Sequence, residues 1–336
     1  MSEPVVSVLI AAYNEEERIR DSLDSVFAQT YSNLEVIVVD DGSTDATAEI
    51  VRSEYPDVIL VRQENAGLPA TRNAAAGVSS GELLMAMDAD DRIAPEKVER
   101  QIEVLRQHPE AAAVATNGIA QAGRHTYPYT NPRLDRITET DLHAILCGPS
   151  PVGASTMIRR EAFEDIGGYD PEAKLWDDRD FFCRLILQGH RLLFLNEPLY
   201  FINHHPDNIS SKSFVTRARY YVTGYRMLDP RRTDLPWRSP LTEAEYSWYL
   251  TERVILACFR SYRQGDREAG MEFIREIDQM PAPPIPARAL RAIAGVSWPA
   301  FGVAAIPYYL WLRGARTRRV WGLWQGLQQI WRRFIR

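Results

Sequence analysis

Cysteine is scarce in this chain: Cys147, Cys183 and Cys258 stand far apart among 336 residues and form no CxxC pair. That spacing argues against a zinc site or a disulfide framework, suits a reducing compartment, and leaves the three thiols as small buried side chains. No GxGxxG follows the first apolar run, which disfavours a redox dinucleotide fold. No basic n-region precedes VVSVLIAAY and no small-residue cleavage site follows it, so the opening reads as a β-strand and not as a secretory leader. A membrane-spanning helix needs about 20 apolar residues. The stretch VSWPAFGVAAIPYYLWL, residues 296–312, falls short of that and is interrupted by Pro299 and Pro307.

Acid is missing from one place only. Residues 281–336 contain no Asp or Glu but nine arginines and five of the eight tryptophans. The net charge of −6 therefore divides into +9 on this tail and −15 on the first 280 residues. RVWGLWQGLQQIWRRFIR interleaves Trp and Leu with Arg, the pattern of an interfacial helix on anionic lipid. Arginines snorkelling over a protein surface would give the same pattern, so core packing is the competing reading. Nucleic acid is disfavoured as a partner by the acidity of the rest. With 45% apolar and 25% charged residues the chain is globular, not disordered.

Strand and helix patterns alternate from the N-terminus. VVSVLIAAY, LEVIVVDDGSTD, VILVRQEN and LLMAMDADD read as strands. Between them EEERIRDSLDSVFAQ places Ile19, Leu23, Val26 and Phe27 at helical spacing. DATAEIVRSEY follows Ser43 or Thr44 as cap, LPATRNAAAGVSS follows Gly67, and PEKVERQIEVLRQH carries Pro95 in its first turn. Such repeats predict a mostly parallel sheet with helices on both faces, with ligands beyond the carboxyl ends of its strands. Past residue 110 the alternation weakens and 113–152 gives no pattern. GASTMIRREAFEDIGGYDP reads as strand, short helix and glycine turn, WDDRDFFCRLILQGH as a helix with acids in its first turn, and RLLFLNEPLYFINHH as a strand pair. Residues 214–279 look helical, and PAPPIP, 281–286, looks like a linker.

Three polar clusters fall at predicted strand ends: AAYNEE, DDGSTD and DADD. Asp40 and Asp41 suit a turn, but a carboxylate there can also accept N–H groups of a nucleobase on which Tyr13 stacks. Asp88, Asp90 and Asp91 lie within four residues. Two carboxylates about 5 Å apart repel by roughly 3 kcal/mol at an effective dielectric near 20. A solvated loop would tolerate them; a hard cation, Mg²⁺ or Mn²⁺ with positions left for phosphate oxygens, would use them. In WDDRD, Asp177, Asp178 and Asp180 either stabilise a helix start or supply a general base. HHPDNIS, containing His204 and His205, turns sharply enough to return an imidazole to a metal.

VSVLIAAYNEE, VIVVDDGSTDAT, NAGLPATRNAA, LLMAMDADD, GGYDP and WDDRDFFCRL occur in the order of family 2 glycosyltransferases, which this chain resembles over residues 4–212. The resemblance implies an α/β GT-A fold over 1–212; beyond it the pattern reads as a helical extension, 213–280, and the basic aromatic tail, 281–336. It implies inverting transfer of a sugar from a nucleotide-diphosphate donor, UDP-sugars favoured, to a glycan or lipid-linked acceptor hydroxyl in cell-surface polysaccharide or glycolipid synthesis. By position, Ala11, Tyr13 and Glu15 line the nucleotide pocket, Asp41 holds the base with Asp40 beside it, and Arg72 belongs to the donor-side helix. Asp88 faces the ribose, while Asp90, Asp91 and His205 hold Mn²⁺ or Mg²⁺. Asp178 is the base, and Asp177 and Trp176 face the acceptor; Asp177 stands where the family carries Glu. The alternatives are a nucleotidyltransferase, disfavoured by an acidic AAYNEEE where a Gly-rich basic loop belongs, and a non-catalytic sugar-binding scaffold. The expected location is cytoplasmic, with the tail against the inner face of the cell membrane.

Overall fold

The run VSVLIAA forms β1 (Val6–Ala12), and its branched side chains are buried on both faces, as a central parallel strand requires. This computed structural model describes residues 3–122, 125–128, 135–147, 153–173, 176–205, 208, 224, 228–230, 241–263, 265–281, 288 and 291. The tail read as membrane-directed lies almost wholly outside the described residues. Contacts divide the chain into two units, residues 1–211 and 212–336.

In the first unit, α1 (Ile19–Phe27) leads to β2 (Leu34–Asp40), α2 (Thr47–Glu54) to β3 (Ile59–Arg62), and α3 (Leu68–Val78) to β4 (Leu83–Asp88). Then follow β5 (Arg92–Ile93), α4 (Lys97–Gln107), β6 (Ala111–Ala122), β7 (His125–Pro128), β8 (Ile137–Thr140) and α5 (Leu142–Cys147). The unit continues through β9 (Met157–Arg159), α6 (Arg160–Asp165), α7 (Asp177–Leu187) and β10 (Arg191–His204). One sheet runs β3-β2-β1-β4-β9-β6-β10-β5, with β7 beside β6 and β8 beside β10. Strands β3, β2, β1 and β4 are mutually parallel, and β9 runs antiparallel between β4 and β6.

Register places the chemistry. Ala12 pairs with Asp40 and Ala11 with Asp88, so β1 ends between the acids of its two neighbours. The loop after β1 is tied to the loop after β2: Asn14, at φ 56°, receives Thr44 N–H on its side-chain oxygen and donates its own N–H to Ser43 Oγ. Ser43 and Thr44 therefore cross-link two loops and do not cap α2; Asp45 Oδ1 meets the Thr47 N–H instead, at 3.0 Å.

Four further expectations are corrected. Phe27 shares the helical spacing of Ile19, Leu23 and Val26, but unlike them it is 49% exposed, stacking on Tyr55. Pro95 precedes α4, which starts two residues later. The last strand pair is a single strand, β10, whose register shifts around Pro198 keep it paired with β6 on both sides of the proline. The region without pattern, 113–152, holds all but the first two residues of β6, whose small side chains carry little hydropathy signal.

The second unit contains α8 (Glu243–Arg263) and α9 (Arg267–Arg275). Asp266 caps α9, accepting the Ala269 N–H at 2.9 Å. No helix among the described residues is long and apolar enough to cross a membrane.

Candidate active site

At the end of β2 two adjacent acids face different surroundings, because successive side chains of a strand point to opposite faces. Asp40 is fully buried; one oxygen accepts the Ser43 N–H at 2.9 Å and the other meets Arg62 Nε at 3.0 Å. Expected beside the donor, Asp40 instead locks its own turn. Asp41 accepts Gln63 Nε2 and the Ala66 N–H on Oδ1, and the Gly67 N–H on Oδ2, at 2.7 to 2.9 Å. Three of about four acceptor positions are thus filled, and one is left on Oδ2. Tyr13, 48% exposed just past β1, offers the flat apolar face.

At the end of β4, Asp88, Asp90 and Asp91 bring carboxylate oxygens within 4.8 Å of one another, and Glu15, Asp90 and His205 do the same with their own ligand atoms. His205 Nε2 lies 2.9 Å from Asp90 Oδ2, and Asn208 Nδ2 donates to that oxygen at 2.7 Å. Burial and Asp88 push the Asp90 carboxyl above its ordinary range. Burial, then Asp90, pushes Glu15 up to about 7. Asp91 is the most enclosed of the three; its Oδ1 accepts the Asn203 N–H at 2.8 Å and its carboxylate also receives the Tyr200 hydroxyl. It fastens β10 to the loop while staying within reach of the cluster. Hard carboxylate oxygens crowded together with one imidazole are the donor set a divalent cation needs. The residues fit such an ion.

Arg72 joins this cluster to α7. Its guanidinium is 1% exposed and donates through Nη2 to Asp88 Oδ1 at 2.8 Å, and through Nη1 to Asp177 Oδ2 at 2.9 Å and Asp178 Oδ1 at 3.1 Å. Tyr169 lies under it, 5.1 Å from ring centroid to guanidinium carbon. The other oxygen of Asp178 accepts the Gly153 N–H at 3.1 Å. Asp178 keeps a side chain 35% exposed, while burial outweighs Arg72 and lifts its carboxyl above the usual range. A carboxylate with raised proton affinity and an open side is suited to take a proton.

Two acceptor-side expectations change. Trp176, the residue before α7, is 2% exposed and belongs to the core. Asp177 is turned inward to Arg72 and 8% exposed. Asp180, the third acid of WDDRD, is closed on Arg184 at 2.6 Å and is structural. Ala11 contributes backbone, between Val39 and Asp88. Asn208 and Tyr200 were not singled out from sequence; Asn208 stands three residues after His205, so HHPDN already placed an amide in its reach. A separate cleft of about 330 Å³ beside β6, β7 and β10, lined among others by Asn117, Tyr127 and Asn196, contains none of the expected site residues.

An α/β sheet with acids at the ends of β2 and β4, and a further acid joined to them through Arg72, has the form of an enzyme whose site lies beyond the carboxyl ends of parallel strands. Comparison narrows the class. Residues 7–167 match the model described as Glycosyl transferase family 2. An uncharacterized glycosyltransferase of Haemophilus influenzae is 27% identical over 219 residues, 64% of this chain and 74% of that protein. EpsE of Bacillus subtilis is 29% identical over 244 residues, 70% of this chain and 85% of that protein. S. aureus TarS, solved in complex with UDP-GlcNAc, aligns with TM-score 0.63 at 20% identity over 92% of this chain and 90% of that one. The Pyrobaculum calidifontis mannosyltransferase PcManGT, solved with GDP-Man and Mn²⁺, aligns with TM-score 0.54 at 23% identity over 92% and 88%. The match over residues 7–167, the glycosyltransferase relatives and the shared GT-A fold of TarS together support a family 2 glycosyltransferase.

Proposed function

We propose that this enzyme moves a sugar from a nucleoside-diphosphate donor to an acceptor hydroxyl in one displacement, inverting the anomeric centre, with Asp178 as the base. The observation that carries the reading is Arg72, which holds Asp88 of the β4 cluster and Asp178 of α7 on one guanidinium. Donor-side acids and a proton acceptor thus share one end of the sheet.

Asp88, Asp90 and Asp91, with Glu15 and His205, would hold Mn²⁺ or Mg²⁺. Such an ion supplies positive charge to the diphosphate as negative charge grows on it. Asp90 is kept in place by His205 and Asn208. Tyr13 and Asp41 are placed to take the base, the ring by stacking and the carboxylate by its remaining acceptor position. Asp178, oriented by Arg72 and the Gly153 N–H, takes the acceptor proton as the acceptor oxygen attacks the face opposite the leaving diphosphate. That pathway needs no enzyme nucleophile.

A UDP-sugar is the favoured donor, supported by the UDP-GlcNAc and UDP complexes of TarS; GDP-mannose is the competitor, supported by PcManGT. The acceptor is a glycan or lipid-linked hydroxyl of cell-surface polysaccharide or glycolipid synthesis, a reading supported by the arginine and tryptophan tail, which suits the inner face of a membrane. The test is a screen of nucleotide sugars for Mn²⁺-dependent turnover, followed by Asp178→Asn. The variant should bind nucleotide sugar as before by calorimetry and lose transfer. Lost binding with unchanged turnover of the residual complex would remove Asp178 from the role.

A further inference from the structure

The carboxylate of Asp178 rests on a short 3-10 turn, Gly153–Ser155, that leads through Thr156 into β9. A Cβ on residue 153 would stand 1.8 Å from Asp178 Oδ1 and 2.3 Å from its Cγ, so the carboxylate lies directly against a bare Cα and accepts the N–H beside it. The turn has its own fastening. Gln101, on α4 and fully buried, spends both amide N–H groups on carbonyls: Val114 of β6 at 2.8 Å and Ser155 of the turn at 2.9 Å. Its oxygen receives Lys97 Nζ at 2.6 Å. Ser155 Oγ donates to Thr116 O at 3.1 Å and accepts the Thr116 N–H at 3.3 Å. A polar side chain costs free energy to bury unless each of its groups is matched. One match on Gln101 is the Ser155 carbonyl in the segment beneath Asp178, and the other two, on β6 and α4, anchor the amide that holds it.

We propose that Gly153 is the seat of the Asp178 carboxylate and that Gln101 is a positioning residue, acting on the reaction through the Gly153–Ser155 turn without touching substrate. The inference rests on reading Asp178 as the base. It makes a residue on α4, remote in sequence from Asp178, a determinant of turnover. A base displaced by about 1 Å loses on the order of 100-fold in rate, and a looser turn loses less.

The experiment uses the full chain with Mn²⁺ and whichever of UDP-GlcNAc or GDP-mannose it hydrolyses faster. Water stands in for the acceptor: its oxygen bonds to the anomeric carbon, its proton goes to Asp178, and the nucleoside diphosphate leaves. Gly153→Ala should lower kcat by roughly 100-fold, and Gln101→Met by about 10-fold. In both, KM for the donor and the calorimetric Kd for the nucleoside diphosphate should stay within about 2-fold, since neither residue touches the β4 cluster. Should Gly153→Ala fail to fold, Gln101→Met carries the test alone, being close in volume and apolar. A fall in thermal stability with kcat unchanged would reduce the network to scaffolding and overturn the proposal, as would KM and Kd rising in step with the loss of kcat. Asp178→Asn is run beside them. If it too retains turnover, the base assignment fails; if it is inactive while Gly153→Ala and Gln101→Met turn over normally, only the positioning role fails.

Discussion

Replacing Lys97 with methionine should raise the stability of this protein at neutral pH and flatten its dependence on pH above neutrality. Lys97 is fully buried, and the partners of its ammonium are the amide oxygen of Gln101 and the thioether of Met85, neither of them charged. Burial alone pushes its pKa down from 10.5 to about 7. The unfolded chain keeps the ordinary value, so between these two pKa values unfolded Lys97 binds a proton that folded Lys97 does not. Stability is therefore full above the unfolded pKa, falls by about 1.4 kcal/mol per pH unit as pH drops, and levels off below 7 after a loss of roughly 5 kcal/mol. Methionine removes that loss but leaves the Gln101 oxygen without its donor, at about 1–3 kcal/mol. The balance near pH 7 is a gain of roughly 2–4 kcal/mol, or about 3–6 °C in Tm for a chain of 336 residues. Near pH 10 the penalty has shrunk to about 1 kcal/mol or less and the missing hydrogen bond makes the variant the less stable protein. Thermal unfolding of both proteins from pH 6 to pH 10 should give curves that cross near pH 9. Parallel curves would refute the argument, because they would mean that Lys97 keeps its proton in the folded state at no cost.

Other outcomes follow from the site. Arg72→Met strands Asp88, Asp177 and Asp178 and should destabilise the protein by about 3–5 kcal/mol at pH 8. Burial holds the Asp177 and Asp178 carboxyls above their ordinary range, so stability returns as pH falls through those values; a Tm deficit equal at pH 5 and pH 8 would contradict this. Asp90→Ala should keep the fold by circular dichroism, since it relieves like-charge crowding, and should weaken Mn²⁺ binding by at least about tenfold in calorimetric titration. Deleting residues 281–336 should move the protein from the membrane to the soluble fraction of a lysate; an unchanged distribution would end the membrane reading.

Much of the site was legible because parallel strands with in-register neighbours bring their ends together, so acids that close consecutive apolar runs must meet. Asp41, Asp88 and Asp90 belong to that class. Hydropathy could not separate Asp40 from Asp41, which differ only in the strand face they leave from. Nor could it show that Trp176 packs inward, since a residue just before a helix can point either way. Strand β6 was hidden by its alanines, and Pro198 made one long strand look like two. The work of Arg72 depends on partners 16, 105 and 106 residues away, a separation at which no local pattern speaks.

That last arrangement bears on how such enzymes can be recombined. Donor preference and acceptor preference look separable along the chain, one written before residue 110 and the other after 150, which invites chimeras joined between them. A graft of either portion, however, also transplants one side of an ionic account kept by a single guanidinium: one carboxylate from the early portion and two from the late. A parent that carries a different number of acids at these positions will leave the hybrid with a surplus or a deficit of buried charge, however well the backbones superpose.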